Sequence, residues 1–213
     1  AQAVEVETLI CLQTRPRKRV LLVGDPYQLS ATAQSRVAKR AGFERSLMQR
    51  LMEVRQENGE EEHSMNMLRT QYRMHPEIST FPNRNFYASK IFDDEIVRSP
   101  ARRSVLTRVE IAQASSSGAY LVVDAIRGSE RQDRSGSYAN DVEASLVPRV
   151  LRWASATTPI RVSVITFYSA QARLIRSKMR SVRLDASLLS VQTSTVDSFQ
   201  GSEADVVILS CVR

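Results

Sequence analysis

Apolar and polar positions along this chain follow two rhythms. In RVLLVGD (19–25), AYLVVDA (119–125), IRVSVITFY (160–168) and VVILSCV (206–212) the apolar residues cluster in short runs that stop at polar turns. That pattern predicts strands, buried on both faces where the run is continuous. LLSVQTST (188–195) predicts a further strand. VEVETLICLQ (4–13), SRVAKRAGFERSLMQRLMEV (35–54), HPEISTFPNRNFY (75–87), NDVEASLVPRVLRWA (140–154) and SAQARLIRSKMRSV (169–182) carry helical spacing instead. The second of these breaks at Gly42 and restarts with Leu47, Met48 and Leu51 on one side. Pro76 suits the first position of the third, with Glu77 favourable in its first turn, and Pro82 is expected to limit or bend it. Pro148 interrupts the fourth.

Between these segments the pattern is weaker. RQENGEEEHSMN (55–66) reads as a charged loop, SVLTRVEIA (104–112) as imperfect alternation, ASSSG (114–118) as a turn and RGSERQDRSGS (127–137) as a polar loop. No internal repeat is visible. Strands alternating with helices predict an α/β fold around a mainly parallel sheet. In such sheets ligands sit beyond the carboxyl ends of the strands. Gln28, the TFYSAQ turn and the TVDSFQGSE loop are all expected near that edge.

Composition narrows the function classes. With 213 residues and 42% hydrophobic content, the chain can pack a core. The net charge is +7, and all but four of the 30 basic residues are arginine. Arginine grips planar anions bidentately, which suits a phosphate-rich partner, although a GC-rich genome produces the same bias. Cys11 and Cys211 have neither disulfide nor zinc spacing. No apolar run is long enough for a membrane span. The N-terminal stretch has Glu5 and Glu7 and no basic start, unlike a signal peptide. These features fit an intracellular protein, cytoplasmic or nuclear. No glycine-rich strand-to-helix turn of the dinucleotide-binding kind is present.

Three stretches carry candidate chemistry, and each is open to two readings. GDPYQL (24–29) is an ordinary strand exit, or a turn presenting the Gln28 amide to a phosphate oxygen or water. QYRMHP (71–76) is a partly buried tyrosine beside a surface arginine, or an arginine that clamps phosphate while the ring stacks on a base. TVDSFQGSEADVVILSCV (195–212) is a polar loop before a core strand. Alternatively its small hydroxyls and glycine admit a nucleic-acid backbone, and Glu203 accepts from ribose hydroxyls. His63 and His75 are isolated, and His75 is expected to order the turn before Pro76. The basic run Arg173, Arg176, Lys178, Arg180, Arg183 reads first as a solvated face.

Taken in order, AQAVEVETLI, LLVGDPYQL, SLMQRL, QYRMHPEISTFPNRNFY, NDVEA, VITFYSAQ and TVDSFQGSEADVVILSCVR resemble the superfamily 1 helicases, in the branch of the nonsense-mediated-decay helicase and senataxin. The resemblance spans nearly the whole chain, apart from loops near 52–66 and 93–118. It implies a RecA-like P-loop NTPase fold. Residues 1–35 would be the tail of a first lobe and 36–213 a second lobe, ending before the arginine-finger motif. It implies ATP and Mg²⁺, with the Mg²⁺ acids and the P-loop lysine outside these residues. It implies single-stranded RNA or DNA and the first lobe of the same chain as partners, and no membrane. Gln28 would sense the γ-phosphate, Tyr72 pack on adenine, Arg73 contact the γ-phosphate, and Gly201 and Glu203 form the ribose loop. Thr166, Tyr168, Thr195 and Ser198 would lie in the segments that hold the nucleic-acid backbone. Ser30, Ala31, Phe167 and Ser202 depart from the family pattern. The competing expectation is a helicase-derived module that binds nucleic acid or a partner without turnover.

Overall fold

The computed structural model describes residues 3–14, 18–59, 65–99, 119, 121–153, 159–182, 185 and 187–213. They belong to two compact units, Ala1–Leu68 and Arg69–Arg213. Among the described residues no helix is long and apolar enough to cross a membrane.

The first unit is helical. It holds α1 (Glu5–Gln13), α2 (Arg36–Arg40) and α3 (Leu47–Glu57). Serines start the last two: Ser35 Oγ accepts from Ala38 N and Ser46 Oγ from Gln49 N, each satisfying one amide that the first turn leaves free. Gly42, at φ +77°, makes the break between them. Leu47 is buried and Leu51 is left at 38% exposure, so the apolar side of α3 is only partly covered. The Arg50 guanidinium binds Glu5 at 2.8 Å and ties α3 to α1. Each partner favours the other's charge, so the Glu5 carboxyl is held below its ordinary range.

Two expectations change in this unit. RVLLVGD is not a strand: Leu21 and Val23 are 86% and 83% exposed. A β ladder needs a neighbour to accept its hydrogen bonds, and no described segment pairs with this one, so apolar composition alone does not make it a strand. The charged loop also starts later than its composition suggests. α3 continues through Arg55 to Glu57 and stops at Asn58 and Gly59, where φ is +69°. Residues 60–64 of that loop lie outside the described residues.

The second unit is α/β. Its sheet has the order β6 (Leu189–Thr195), β5 (Ile160–Thr166), β7 (Val206–Ser210), parallel throughout. On one face, Val162 and Val164 of β5 pack against Ala144, Val147 and Leu151 of α6 (Asp141–Trp153) and Ile175 of α7 (Ser169–Met179). On the other face, Val207 and Leu209 are about half exposed. Pro148 does not interrupt α6. A second parallel pair, β1 (Thr70–Gln71) and β2 (Phe92–Asp93), flanks α4 (Pro76–Phe86), and α5 (Glu95–Arg98) follows β2. α4 starts at Pro76 as expected, with His75 Nδ1 accepting from Glu77 N. It runs on through Pro82, because Asn83 clasps both the N–H and the carbonyl of Ile91 and anchors the second half of the helix.

Two further expectations change here. AYLVVDA is not a strand over its described residues 121–125. Val122 is 80% exposed, and again no described neighbour completes a ladder. The polar loop 127–137 instead contains half of a hairpin, β3 (Glu130–Gln132) paired antiparallel with β4 (Tyr138–Asn140). Its turn is built by Asp133, whose Oδ1 accepts from Ser135 N, Ser135 Oγ and Ser137 N at 2.6–3.0 Å. Gly136 sits beside it at φ +81°. The segments SVLTRVEIA and ASSSG lie outside the described residues.

The buried layer sets the stability scale. Ile175→Ala removes a side chain with no exposure and is expected to destabilise by about 2–5 kcal/mol. Leu21→Ser changes an exposed residue and is expected to stay within about 0.5 kcal/mol. Urea unfolding followed by circular dichroism checks both.

Candidate nucleotide and nucleic-acid site

Three turns of the second unit carry all but one of the residues singled out from sequence. At the first, the chain leaves β1 and reaches α4 through Tyr72, Arg73, Met74 and His75. Gln71 shapes this turn. Its Oε1 accepts from Arg73 N at 3.0 Å and Met74 N at 2.8 Å, while its Nε2 donates to Met74 O at 2.6 Å and Asp93 Oδ1 at 2.7 Å. Tyr72 is left 61% exposed. Arg73 reaches across 130 positions of sequence to Glu203, Nε to Oε2 at 3.3 Å.

The second and third turns sit at the carboxyl ends of β5 and β6, where Thr166 and Thr195 are register partners. Thr195 caps the short helix α8 (Val196–Phe199): its Oγ1 accepts from Ser198 N and lies 2.9 Å from Ser198 Oγ. The loop then turns at Gly201, φ +79°, a value that disfavours any side chain, and reaches Glu203. Thr166 is fully buried, so its hydroxyl serves the turn itself, accepting weakly from Tyr168 N at 3.5 Å. Tyr168 packs edge-on against Tyr138 at 5.5 Å, and the Arg213 guanidinium lies 4.6 Å above the Tyr138 ring while paired with Glu130 at 2.8 Å.

Gln28 belongs to the first unit. Asp25 organises its turn, accepting from Tyr27 N with one oxygen and from Gln28 Nε2 with the other, both at 3.0 Å. Gln28 N also closes the turn on Asp25 O at 3.4 Å, with Pro26 at the position that favours a fixed φ.

Sequence reasoning missed a buried polar network at the same sheet edge. Gln171 of α7 has no exposure. Its Oε1 accepts from Asn140 N at 2.8 Å, and its Nε2 donates to Asn140 O at 3.3 Å and Ser210 Oγ at 2.9 Å. Asn140 caps α6 through Val142 N and Glu143 N. Glu143 accepts from Ser210 Oγ at 2.7 Å and from Val212 N at 3.0 Å, and Asn140 Nδ2 donates to Val212 O at 3.3 Å. These bonds hold Val212 at φ +75°, a conformation that costs a β-branched residue about 1–3 kcal/mol. Gly128 allows the close approach: a Cβ there would stand 2.7 Å from Asn140 Nδ2. Burial and the Glu143 carboxylate together push the neighbouring Cys211 thiol up. The signal for this network was present in NDVEA and FYSAQ, but only as polar residues next to apolar ones.

The basic run on α7 is mostly engaged within the unit. Arg173 pairs with Asp133, Arg176 donates to Thr193 O at 3.0 Å, and Lys178 lies 3.9 Å from Asp141. Arg183 lies outside the described residues. Among the described residues no three His, Cys, Asp or Glu side chains converge as a metal site requires.

A parallel sheet with helices on one face, and with polar turns gathered at its carboxyl edge, places the second unit in the α/β class that binds ligands at that edge. A family model described as an AAA domain matches residues 43–213, and another of the same description matches 1–36. The chain is 35% identical to the "Probable helicase MAGATAMA 3" of Arabidopsis thaliana and 33% identical to the "Probable helicase senataxin" of Homo sapiens. It is also 33% identical to the "Regulator of nonsense transcripts 1" of Dictyostelium discoideum. All of this chain is covered in each case, against 25%, 8% and 15% of those proteins. The chain belongs to the superfamily 1 helicases, in the branch that holds senataxin and the nonsense-mediated-decay helicase, and has their RecA-like fold.

The buried network makes a separable prediction. Gln171→Leu keeps the volume but strands the N–H and C=O of Asn140, and is expected to destabilise by about 3 kcal/mol. A lowered urea midpoint with an unchanged slope is the expected reading.

Proposed function

We propose that this chain is part of an ATP-dependent RNA or DNA helicase. Residues 1–35 are assigned to the tail of its first RecA-like lobe and 36–213 to its second, a division that follows the two family matches and not the compact units, which part after Leu68. The observation that carries this reading is the meeting of Arg73 and Glu203, with the exposed Tyr72 next to Arg73 in the chain, in a protein of helicase ancestry. Arginine, carboxylate and aromatic ring are the three kinds of group that a nucleoside triphosphate asks for. The matches at 1–36 and 43–213 support the division between lobes.

In this reading the Tyr72 ring packs on the base, and Glu203 accepts from the ribose hydroxyls, presented by the loop that Gly201 turns. Arg73 directs its planar fork at the γ-phosphate, where it stabilises charge that develops during phosphoryl transfer. The Arg73–Glu203 pair is more than half exposed on both sides. Such pairs contribute about 0–1 kcal/mol, so a polyphosphate competes easily for the arginine. For Gln28, in the other unit, the resemblance supports a role in sensing the γ-phosphate. ATP with Mg²⁺ supplies the transferable phosphoryl group, and the metal's ligands are assigned outside residues 1–213. Thr195, Ser198 and Tyr168 bind the strand's backbone, with Thr166 holding the turn beneath them. Backbone contacts carry no base information, so binding independent of sequence follows.

In the full-length protein, Arg73→Ala is expected to lower ATP turnover by about 10³-fold or more while largely sparing strand affinity. Arg73→Lys is expected to rescue poorly, because lysine lacks the fork. Thr195→Ala is expected to weaken strand binding and strand stimulation without removing nucleotide binding. ATPase rates and anisotropy with a labelled oligonucleotide, at one salt concentration, check the pair. Turnover that survives Arg73→Ala overturns the assignment, and a full-length protein without turnover favours a binding module.

Residues 1–213 by themselves are expected to show no measurable ATP turnover, since their sequence contains no P-loop lysine motif. A strand-stimulated rate that disappears in Arg73→Ala is the contrary result.

A further inference from the structure

The Arg73 turn is held by one side chain. Gln71 satisfies the N–H groups of both Arg73 and Met74 and the carbonyl of Met74, and its fourth bond fixes it to Asp93 on the neighbouring strand β2. Asp93 is itself pinned: the same Oδ1 accepts from Ser79 Oγ of α4 at 2.7 Å. β1 and β2 are each two residues long, and their pairing sets Gln71 directly opposite Asp93. Ladder bonds alone are too few to hold a turn of this kind in one place. By contrast, the Arg73 side chain is 62% exposed and pairs with the similarly open Glu203, so its aim depends on where its backbone is held.

We infer that Gln71 is a positioning residue for phosphoryl transfer. Its amide, locked by Asp93 and Ser79, sets the backbone of Arg73 and so aims the guanidinium, without itself touching the nucleotide. This rests on the function proposed above. An amide both donates and accepts, as this turn requires. Alanine loses all four bonds. Glutamate keeps the two acceptor roles but sets a second carboxylate 2.7 Å from Asp93.

The test is a double-mutant cycle in the full-length protein, measuring strand-stimulated ATP turnover. Gln71→Ala is expected to lower kcat by about 10- to 100-fold, the scale of a misplaced catalytic group, with a smaller change in KM. In an Arg73→Lys background, where the fork is already lost, the same change is expected to cost less than about threefold. A merely structural role predicts equal fold losses in both backgrounds, together with a loss of folded protein in thermal melts. Gln71→Glu keeps the shape should alanine fail to fold. Its loss is expected to be partly recovered by Asp93→Asn, which replaces the carboxylate with a group that donates to the new glutamate. Arg73-dependent turnover with equal Gln71→Ala losses in both backgrounds, or with no recovery by Asp93→Asn, overturns the positioning role alone. Turnover indifferent to Arg73→Ala overturns the function reading and this inference with it.

Discussion

Parallel pairing on both sides of β5 is the constraint from which the second unit follows. Ile160 to Thr166 match Leu189 to Thr195 residue for residue on one side, and Val162 to Thr166 match Val206 to Ser210 on the other. Because the strands are parallel, their carboxyl ends fall at one edge. Thr166, Thr195 and Ser210 stand side by side there, though distant in sequence. The turn after β5 and the cap of α8 are gathered by that register, and the same register brings Ser210 within reach of Gln171.

That edge also has to contain polar groups without water. A buried amide left unbonded costs about 1–3 kcal/mol, so Gln171, Asn140 and Glu143 saturate one another and the backbone around them. The same bonds hold Val212 in a left-handed conformation that an isolated valine avoids. Direction of the chain after β7, and with it the placement of Arg213 over Tyr138, is thus a product of side-chain hydrogen bonding and not of local propensity.

The exposed edge follows different physics. Arg73 and Glu203 lie where water screens them, so their mutual attraction is weak and either is free to take another partner. What is firm is the scaffold beneath, the Gln71–Asp93–Ser79 bonds and the Thr195 cap. A firm backbone that presents weakly committed charges is consistent with the nucleotide role proposed for this turn.

Much of this was legible in the chain. Helical spacing located α1, α3, α4, α6 and α7, because amphipathic periodicity is local and repeats every turn. Continuous apolar runs located β5 and β7, and the series of motifs identified the family. The same apolar signal failed at RVLLVGD and AYLVVDA, since a strand exists only when another strand accepts its hydrogen bonds, and composition does not say whether one does. The β3–β4 hairpin was hidden for the opposite reason: its strands are polar, and its turn depends on one aspartate. Residue types near the candidate site were readable, but the pairing of Arg73 with Glu203 was not. By itself the sequence determined local periodicity and ancestry. Which distant side chains meet, and which polar groups are buried together, was decided by the parallel register and by the cost of leaving polar groups unbonded away from water, a cost that Ser194 Oγ alone bears among the described side chains.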